Sequence, residues 1–470
     1  MIEYAGMRYA WHEGAFLTRA EAEYAVRRLW ALAAGSAAWE GPPAIEIPAV
    51  GRTAVLAMHQ LPPGKLPWVP LEELLPRGQQ LGLDSDRLPA LCQPDAVHSL
   101  SFDGHGRFPL DLVTAAFLLL TRWEEAEMPF QPDEWGNYQA RDSLAHRQGF
   151  LDRPVLDEWS LVLRSWLRRI RPQWTPAPSP ARMAMTHDVD GVHKFRSWYR
   201  VVRSTIGSAV RTRRAGPILR TARSGFTGRL DAARDPYFQG IRSLLEFDEM
   251  LGQRGTFFFM AAKPGRYDDG YDPTAPLAQR AIQEVLRRGH EVGWHPSYRS
   301  ADEEASFLCE KRRIDDALPQ AVHGARCHYL RWRPLTTWPR LAQAGIRYDS
   351  TLGFNETIGF RCGTAHPFPV WDRRAGRQLP LEERPLIVQD GALLHFMGLS
   401  PTEAIPRVAS LHQRAARVGG LFTVLLHNGQ SLGMESILPA FHKALETDTS
   451  TEQAPCNHRS ERPCAAFLDS

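Results

Sequence analysis

In the first 170 residues the apolar positions mostly follow a helical period. Apolar residues recur every three or four positions over 20–34 and 154–170, which predicts two amphipathic helices. A denser apolar stretch over 108–125 predicts a mostly buried helix, and alternation over 44–50 predicts a strand. Helices mixed with short strands predict a small α/β unit.

The predicted helix over 108–125 ends in three charged residues, Arg122, Glu124 and Glu125. Such a group is typical of a solvated helix end with local ion pairs. A role in binding is the alternative interpretation.

After residue 182 the pattern changes to short apolar runs separated by helical stretches. Strands are predicted over 182–185, 255–261, 289–295, 345–351, 386–390 and 421–428. Helices are predicted over 235–252, 276–288 and 336–344. This alternation predicts an α/β fold with parallel strands, in which the chemistry lies at the carboxyl ends of the strands.

Prolines mark the boundary between the two patterns. Four of them fall in the nine residues 172–180, which predicts a stiff, extended linker over 171–182. We therefore predict an accessory domain over 1–170 and a larger domain over 183–444. The polar, aperiodic residues 445–470 predict a disordered tail.

An arginine-rich insertion over 194–234 contains few acids. Apolar residues at helical spacing over 197–210 predict a helix within it. Two interpretations stay open: a solvated helical excursion, or a peripheral contact with an anionic membrane surface. Because no aromatic-interleaved basic motif occurs, we predict no nucleic-acid binding.

Composition excludes several other classes. The 470 residues carry a net charge of +3 and contain no apolar run long enough to span a membrane. The six cysteines are scattered without a CxxC pair, which favours a reducing compartment over a disulfide framework or a cysteine zinc site. The N-terminus has no features of a secretory signal, and we therefore expect a cytoplasmic protein.

Polar residues suited to catalysis follow several of the predicted strands. Asp188 and Asp190 lie two residues apart at the end of one strand and point to the same side if the chain is extended. His295 and His427 end two others. Because carboxylates are costly in a plain core, this grouping indicates a metal site or an acid/base site.

Three motifs carry a resemblance to a known family: THDVD over 186–190, GTFFF over 255–259 and GHEVGWHP over 289–296. Together they resemble the polysaccharide deacetylase family, carbohydrate esterase family four. The resemblance covers about 183–433. It implies a distorted (β/α) barrel that removes N- or O-linked acetyl groups from sugars with a divalent metal, and we expect Zn²⁺ here. The part before the barrel resembles the accessory domain of a divergent branch.

The resemblance also implies roles for individual residues. Asp188 matches the family's general base and Asp190 its metal ligand, with the two roles exchangeable. His295 matches a ligand histidine, Arg326 the arginine that orients the base, and His427 the acid that protonates the leaving group.

This chain departs from the family at the second ligand histidine. Arg299 stands at that position, and a guanidinium cannot ligate a metal. His328, two residues after Arg326, is the candidate third ligand, because it points to the same side as Arg326 if this segment is extended. Four residues are predicted to contact substrate: Tyr298, Arg299, Asp349 and Arg361. For Asp349 a turn role is equally open, and Arg361 has an acid in the core as an alternative partner.

The expected function is therefore hydrolysis of an acetyl group on a sugar or glycan precursor, in the assembly of a surface polysaccharide. One alternative is a metal-independent hydrolase of a non-sugar C–N bond, in which Arg299 supplies the positive charge. Another is a non-catalytic carbohydrate-binding pseudoenzyme.

Overall fold

A computed structural model describes residues 1–75, 79–93, 106–430 and 442. The predicted tail over 445–470 lies outside the described residues. None of the helices in the described ranges has the length and apolar character needed to cross a membrane.

The first part of the chain contains a small sheet, a hairpin and several helices. Its strands are β1 (Ile2–Tyr4), β2 (Met7–Tyr9), β3 (Ile45–Ile47), β4 (Trp68–Pro70) and β5 (Arg87–Pro89). Its helices are α1 (Arg19–Ala34), α2 (Arg52–Gln60), α3 (Leu71–Leu74), α4 (Leu112–Leu120), α5 (Trp123–Glu127), α6 (Leu144–Arg147) and α7 (Val155–Ile170). The predicted helices over 20–34 and 154–170 are α1 and α7.

The second part alternates strands and helices as predicted. Its strands are β6 (Arg182–Val189), β7 (Thr256–Phe259), β8 (Glu291–Trp294), β9 (Gly324–Ala325), β10 (Tyr348–Asp349), β11 (Phe368–Asp372), β12 (Arg377–Glu383), β13 (Val388–Gln389) and β14 (Leu421–His427). Its helices are α8 (Trp198–Thr212), α9 (Ala215–Leu230), α10 (Pro236–Met250), α11 (Pro276–Arg287), α12 (Glu304–Asp316), α13 (Thr337–Gln343) and α14 (Pro401–Arg417).

These nine strands form one sheet in the order β11-β12-β10-β9-β8-β7-β6-β14-β13. Every neighbouring pair is parallel except β11 with β12. The interior strand β7 is buried along its whole length, because helices cover both faces of a parallel sheet. The prediction of a parallel α/β fold is confirmed.

The sheet is open and does not close into the expected distorted (β/α) barrel. Its edges are β11 and β13, and no described ladder joins them. The antiparallel hairpin of β11 and β12 occupies the edge beside β10, whereas β13 pairs only two residues with β14. Among the described strands, β13 therefore pairs only with β14, and its outer side has no partner strand.

The stretch predicted as one helix over 108–125 is two helices, α4 and α5. They are separated at Arg122, whose φ of 51° lies in the left-handed region. Arg122 is buried and donates to both Glu124 and Glu125. The interpretation of this group as a solvated helix end was therefore wrong, because burial of an arginine requires the paired carboxylates.

The first part of the chain packs directly on the large sheet. The Tyr24 hydroxyl donates to the carbonyl of Pro369 on β11 at 2.8 Å. On α7, the Asp157 carboxylate accepts from the Thr364 hydroxyl and the Ala365 amide at 2.6 and 2.7 Å. These contacts hold the predicted accessory region against the sheet that carries the candidate site.

Candidate active site

The predicted catalytic residues meet at the carboxyl ends of interior strands, because these strands run parallel and lie close together in the sheet. Asp188 is the second-last residue of β6 and pairs in register with His427, the last residue of β14. His295 directly follows β8, and Arg326 directly follows β9. The carboxyl ends of four strands therefore supply the site, as the sequence predicted.

Asp188 and Arg326 form a buried ion pair. Arg326 Nη1 lies 3.2 Å from Asp188 Oδ1 and also donates to the Thr186 hydroxyl at 2.8 Å. Its Nε and Nη2 donate to the carbonyl and the hydroxyl of Ser350, both at 2.8 Å. Because the guanidinium is fixed from three directions and fully buried, it orients the Asp188 carboxylate.

Beside this pair, Asp190, His295 and His328 place one ligand atom each within 4.8 Å of one another. Asp190 Oδ1 lies 3.3 Å from His295 Nε2 and 3.7 Å from His328 Nε2. Ligand atoms around a tetrahedral Zn²⁺ are roughly 3.3 Å apart, given metal–ligand bonds of about 2.0–2.1 Å. The spacing of the three side chains therefore suits a divalent metal.

The other ring nitrogens of both histidines are already engaged. His295 Nδ1 lies 2.6 Å from the carbonyl oxygen of Arg326, and His328 Nδ1 lies 2.8 Å from Asp268 Oδ1. With Nδ1 donating, the Nε2 of each neutral ring carries a lone pair, as in metal-binding histidines. His295 Nε2 and Asp190 Oδ1 are buried polar atoms without a hydrogen bond, which fits ligands of an ion.

Charges around the three side chains favour a cation. Burial acts to lower the pKa of His295, but the carboxylates of Asp188 and Asp190 outweigh it and raise that pKa. Burial acts to raise the pKa of Asp190, but His328, His295 and His427 hold it below its ordinary value. The Asp190 carboxylate is therefore ionised at neutral pH and attracts positive charge.

His427 lies on the opposite side of Asp188. Its Nε2 is 4.0 Å from Asp188 Oδ2, and its Nδ1 is 2.6 Å from Asp390 Oδ1. Burial acts to lower the pKa of His427, but Asp390, Asp190 and Asp188 raise it to about 10. The imidazole is therefore protonated at neutral pH, which suits a proton donor.

Asp188, Asp190, His328 and His427 line a cavity of about 490 Å³. Part of its wall comes from the first part of the chain, where Trp135 stacks on Tyr329 with ring centroids 5.0 Å apart. The ring of Phe396 meets Trp135 edge-on at 5.7 Å. The predicted accessory region thus supplies an aromatic surface to the site.

The segment after β9 is a short 3-10 helix, His328–Leu330, instead of the extended chain assumed from the sequence. Tyr329 and Leu330 have φ values of 55° and 51°, in the left-handed region that costs free energy for residues other than glycine. The Tyr329 carbonyl accepts from the side-chain amides of Asn137 and Asn355, both at 2.9 Å. These bonds hold the strained turn that presents His328 and Tyr329.

Tyr298 and Arg299 lie in a neighbouring cavity instead of the one that holds the ionisable groups. The Arg299 side chain is 67 % exposed and pairs with Glu303 at 2.6 Å, so it does not supply charge beside Asp190. The ring of Tyr298 packs under the guanidinium of Arg331, 3.8 Å from it. Local partners therefore hold both side chains outside the cavity that contains Asp188 and Asp190.

Asp349 and Arg361 also lie away from this cavity. Asp349 is fully buried and accepts from the Thr351 hydroxyl at 2.5 Å, which corresponds to the turn role. Arg361 donates to both carboxylate oxygens of Glu125, at 2.9 and 2.5 Å, as the alternative of an acid in the core anticipated. Both side chains are therefore held by buried partners away from this cavity.

Three residues of the site were missed from sequence. Asp390 follows β13 and could have been found as an acid at a strand end. Asp268 and Trp135 lie outside the sheet, in segments without a periodic signal. Their place depends on contacts between residues far apart in sequence.

Comparison with known proteins gives partial matches. A model described as a family of unknown function (DUF7033) matches residues 73–172, which include Trp135. A search of curated proteins finds no match.

Solved structures with similar chains include carbohydrate esterases. A polysaccharide deacetylase structure from Mycobacterium smegmatis is 18 % identical with a TM-score of 0.39, over 59 % of this chain and 87 % of that one. A family 4 carbohydrate esterase from Streptomyces lividans, in complex with acetate, is 15 % identical with a TM-score of 0.27, over 44 % and 82 %. A mutant of a CE4 family pseudoenzyme with restored activity is 14 % identical with a TM-score of 0.29, over 58 % and 65 %.

Proposed function

We propose that this chain is a metal-dependent hydrolase that removes an acetyl group, N- or O-linked, from a sugar or glycan precursor. The observation that carries the proposal is the meeting of three groups in one cavity. They are the ligand set of Asp190, His295 and His328, the arginine-held Asp188, and the protonated His427. Metal-assisted hydrolysis of an amide or ester requires metal ligands, a general base and a general acid, and these three groups can supply them.

Asp190, His295 and His328 are the residues that would hold the metal, most simply Zn²⁺. Three protein ligands leave a coordination position open, which is typical of catalytic sites and not of structural ones. When bound, a divalent ion polarises the acyl oxygen and lowers the pKa of a water molecule.

The chain's own residues perform the proton transfers. Asp188 accepts the proton of the attacking water, and Arg326 orients its carboxylate. His427 donates a proton to the departing amine or alcohol, and Asp390 holds its ring through Nδ1 so that Nε2 faces Asp188. The base Asp188 and the acid His427 are thus neighbours, with His427 Nε2 4.0 Å from Asp188 Oδ2.

A sugar is the substrate that the aromatic wall favours. Trp135 and Tyr329 present flat apolar rings beside the ionisable groups, whereas the rest of the cavity offers polar side chains such as Asn355 and Gln389. A pyranose ring combines an apolar face with a hydroxyl rim and matches this division. The aromatic wall therefore supports a carbohydrate over a small aliphatic amide.

Release of acetate tests the proposal. Wild-type chain loaded with Zn²⁺ is expected to release acetate from a panel of N- and O-acetylated oligosaccharides. Asp188→Asn is expected to lower kcat by about 10²–10⁴, because the general base is lost. Glu249→Gln makes the same chemical change at a carboxylate paired with Arg288, outside the cavity, and should leave the rate unchanged. Binding of the oligosaccharides without release of acetate would instead indicate a pseudoenzyme.

The pH profile tests the role of His427. The raised pKa means that the protonated imidazole and its pairing with Asp390 stabilise the fold fully below the ordinary pKa of about 6.5. That contribution is lost as pH rises through about 10. Asp390→Asn removes the carboxylate charge, so the alkaline limb of kcat/KM should move to lower pH. An alkaline limb that stays in place in this variant would remove His427 from the role of acid.

A further inference from the structure

The basic insertion over 194–234 folds as a helical hairpin of α8 and α9. Val201 on α8 packs against Gly225 on α9, where a Cβ would come within 2.7 Å of the valine side chain. Gly225 and Gly228 are buried, so the two helices approach closely along this line. This seam occupies the inner faces of the two helices and leaves their outer faces to solvent.

The outer faces are apolar instead of polar. Eight large apolar side chains there are between 47 % and 70 % exposed: Trp198, Tyr199, Val202, Ile206, Val210, Leu219, Phe226 and Leu230. The rings of Trp198 and Phe226 lie 5.8 Å apart, so the apolar residues of the two helices are continuous. A contiguous exposed apolar surface on a soluble chain is a mark of an interaction site.

The same hairpin carries a strong positive charge. Residues 194–234 contain eleven Lys or Arg and one acid, whereas the whole chain is only +3, so the remainder is net acidic. Among the described side chains, seven of these arginines are exposed: Arg196, Arg203, Arg213, Arg214, Arg220, Arg223 and Arg234. Apolar residues flanked by cations are complementary to a surface that combines hydrocarbon with negative charge.

The base of the hairpin is fixed to the catalytic part of the chain. The buried Asp235 accepts from the amides of Lys194 and Phe195 at 2.8 and 2.9 Å and caps α10 through Tyr237. Arg200 pairs with Asp269 at 2.9 Å. The hairpin begins a few residues after Asp190, and these bonds fix its base. A surface that binds the hairpin is therefore held near the candidate active site.

We propose that the α8–α9 hairpin is a docking surface for an anionic lipid membrane. Trp198 and Tyr199 enter the interface, where amphipathic aromatic side chains are favoured, and the aliphatic residues of α8 and α9 enter the acyl boundary. The exposed arginines pair with the anionic headgroups. This inference does not depend on the hydrolase activity, because it rests on the hairpin alone.

A polyanion such as a nucleic acid matches the charge but leaves the eight apolar residues unexplained. A second copy of this chain would cover the apolar residues but would bring two strongly positive hairpins together, which costs free energy. A lipid surface accounts for both features at once.

Co-sedimentation of the full chain with vesicles tests the proposal. Wild-type chain is expected to bind vesicles of phosphatidylcholine with phosphatidylglycerol, weakly bind vesicles of phosphatidylcholine alone, and dissociate as salt is raised. The charge reversal R203E/R220E should lower the partition coefficient by about tenfold or more. R374E/R377E makes the same charge change on the exposed turn between β11 and β12 and should bind like wild type.

The variant V202S/I206S removes two exposed apolar side chains and distinguishes a lipid surface from a nucleic acid or a second copy of the chain. It should bind the anionic vesicles less tightly than wild type, with circular dichroism unchanged because both side chains are exposed. Three results overturn the proposal. They are no vesicle binding by wild type, tight binding to duplex DNA with vesicle binding equal in wild type and V202S/I206S, and a wild-type dimer that V202S/I206S dissociates while vesicle binding persists.

Discussion

Replacing Arg326 with methionine is expected to lower the free energy of unfolding by about 3–5 kcal/mol, because Asp188 is left as a buried charge without its partner. Methionine preserves most of the volume but none of the bonds to Asp188, Thr186 and Ser350. Urea denaturation measures the loss.

The double variant Asp188→Asn/Arg326→Met identifies the cause. If the unpaired carboxylate dominates, neutralising it should restore a large part of the lost stability, and the two substitutions will be strongly non-additive. Purely additive effects would mean that Arg326 stabilises the fold through Thr186 and Ser350 and does not orient Asp188.

Replacing His328 with glutamine is expected to lower the affinity for Zn²⁺ by at least about 100-fold, since even changes around a ligand cost roughly 10–100-fold. In thermal denaturation, Zn²⁺ at about 100 times its Kd should stabilise the wild-type fold by about 2.7 kcal/mol. The same concentration should leave the melting temperature of His328→Gln almost unchanged.

Arg299→Gln is the matched control for this experiment. Arg299 occupies the position where the family resemblance expects a ligand, but its side chain is exposed and paired with Glu303. Its replacement should therefore leave stabilisation by Zn²⁺ intact. If Arg299→Gln abolished that stabilisation and His328→Gln did not, the ligand set proposed for this site would be wrong.

The sheet and the position of the site could be predicted because both depend on local patterns. Continuous apolar runs predicted the strands β7 and β14, and the acids and histidines that follow such runs predicted which edge carries the chemistry. The hairpin of β11 and β12 was missed, and with it the open edge, because Pro369 and Pro380 lie inside these strands and proline argues against a strand assignment.

The burial of several charged residues, and which distant residues they pair with, could not be predicted. Arg361 and Arg122 are both buried on Glu125, although they lie far apart in sequence. His328 was chosen as a third ligand on the assumption of extended chain, whereas a strained 3-10 turn presents it. Its partner Asp268 carries no signal, because its role exists only when the loop reaches the end of β9.

Titration of the metal-stripped chain with Zn²⁺ in a calorimeter tests the central claim most directly. One ion per chain is predicted for wild type, with binding abolished in His295→Ala and in Asp190→Asn and retained in Arg299→Gln. Binding that survives His295→Ala, or a wild-type chain that takes up no divalent ion, would contradict the assignment of Asp190, His295 and His328 as a metal site.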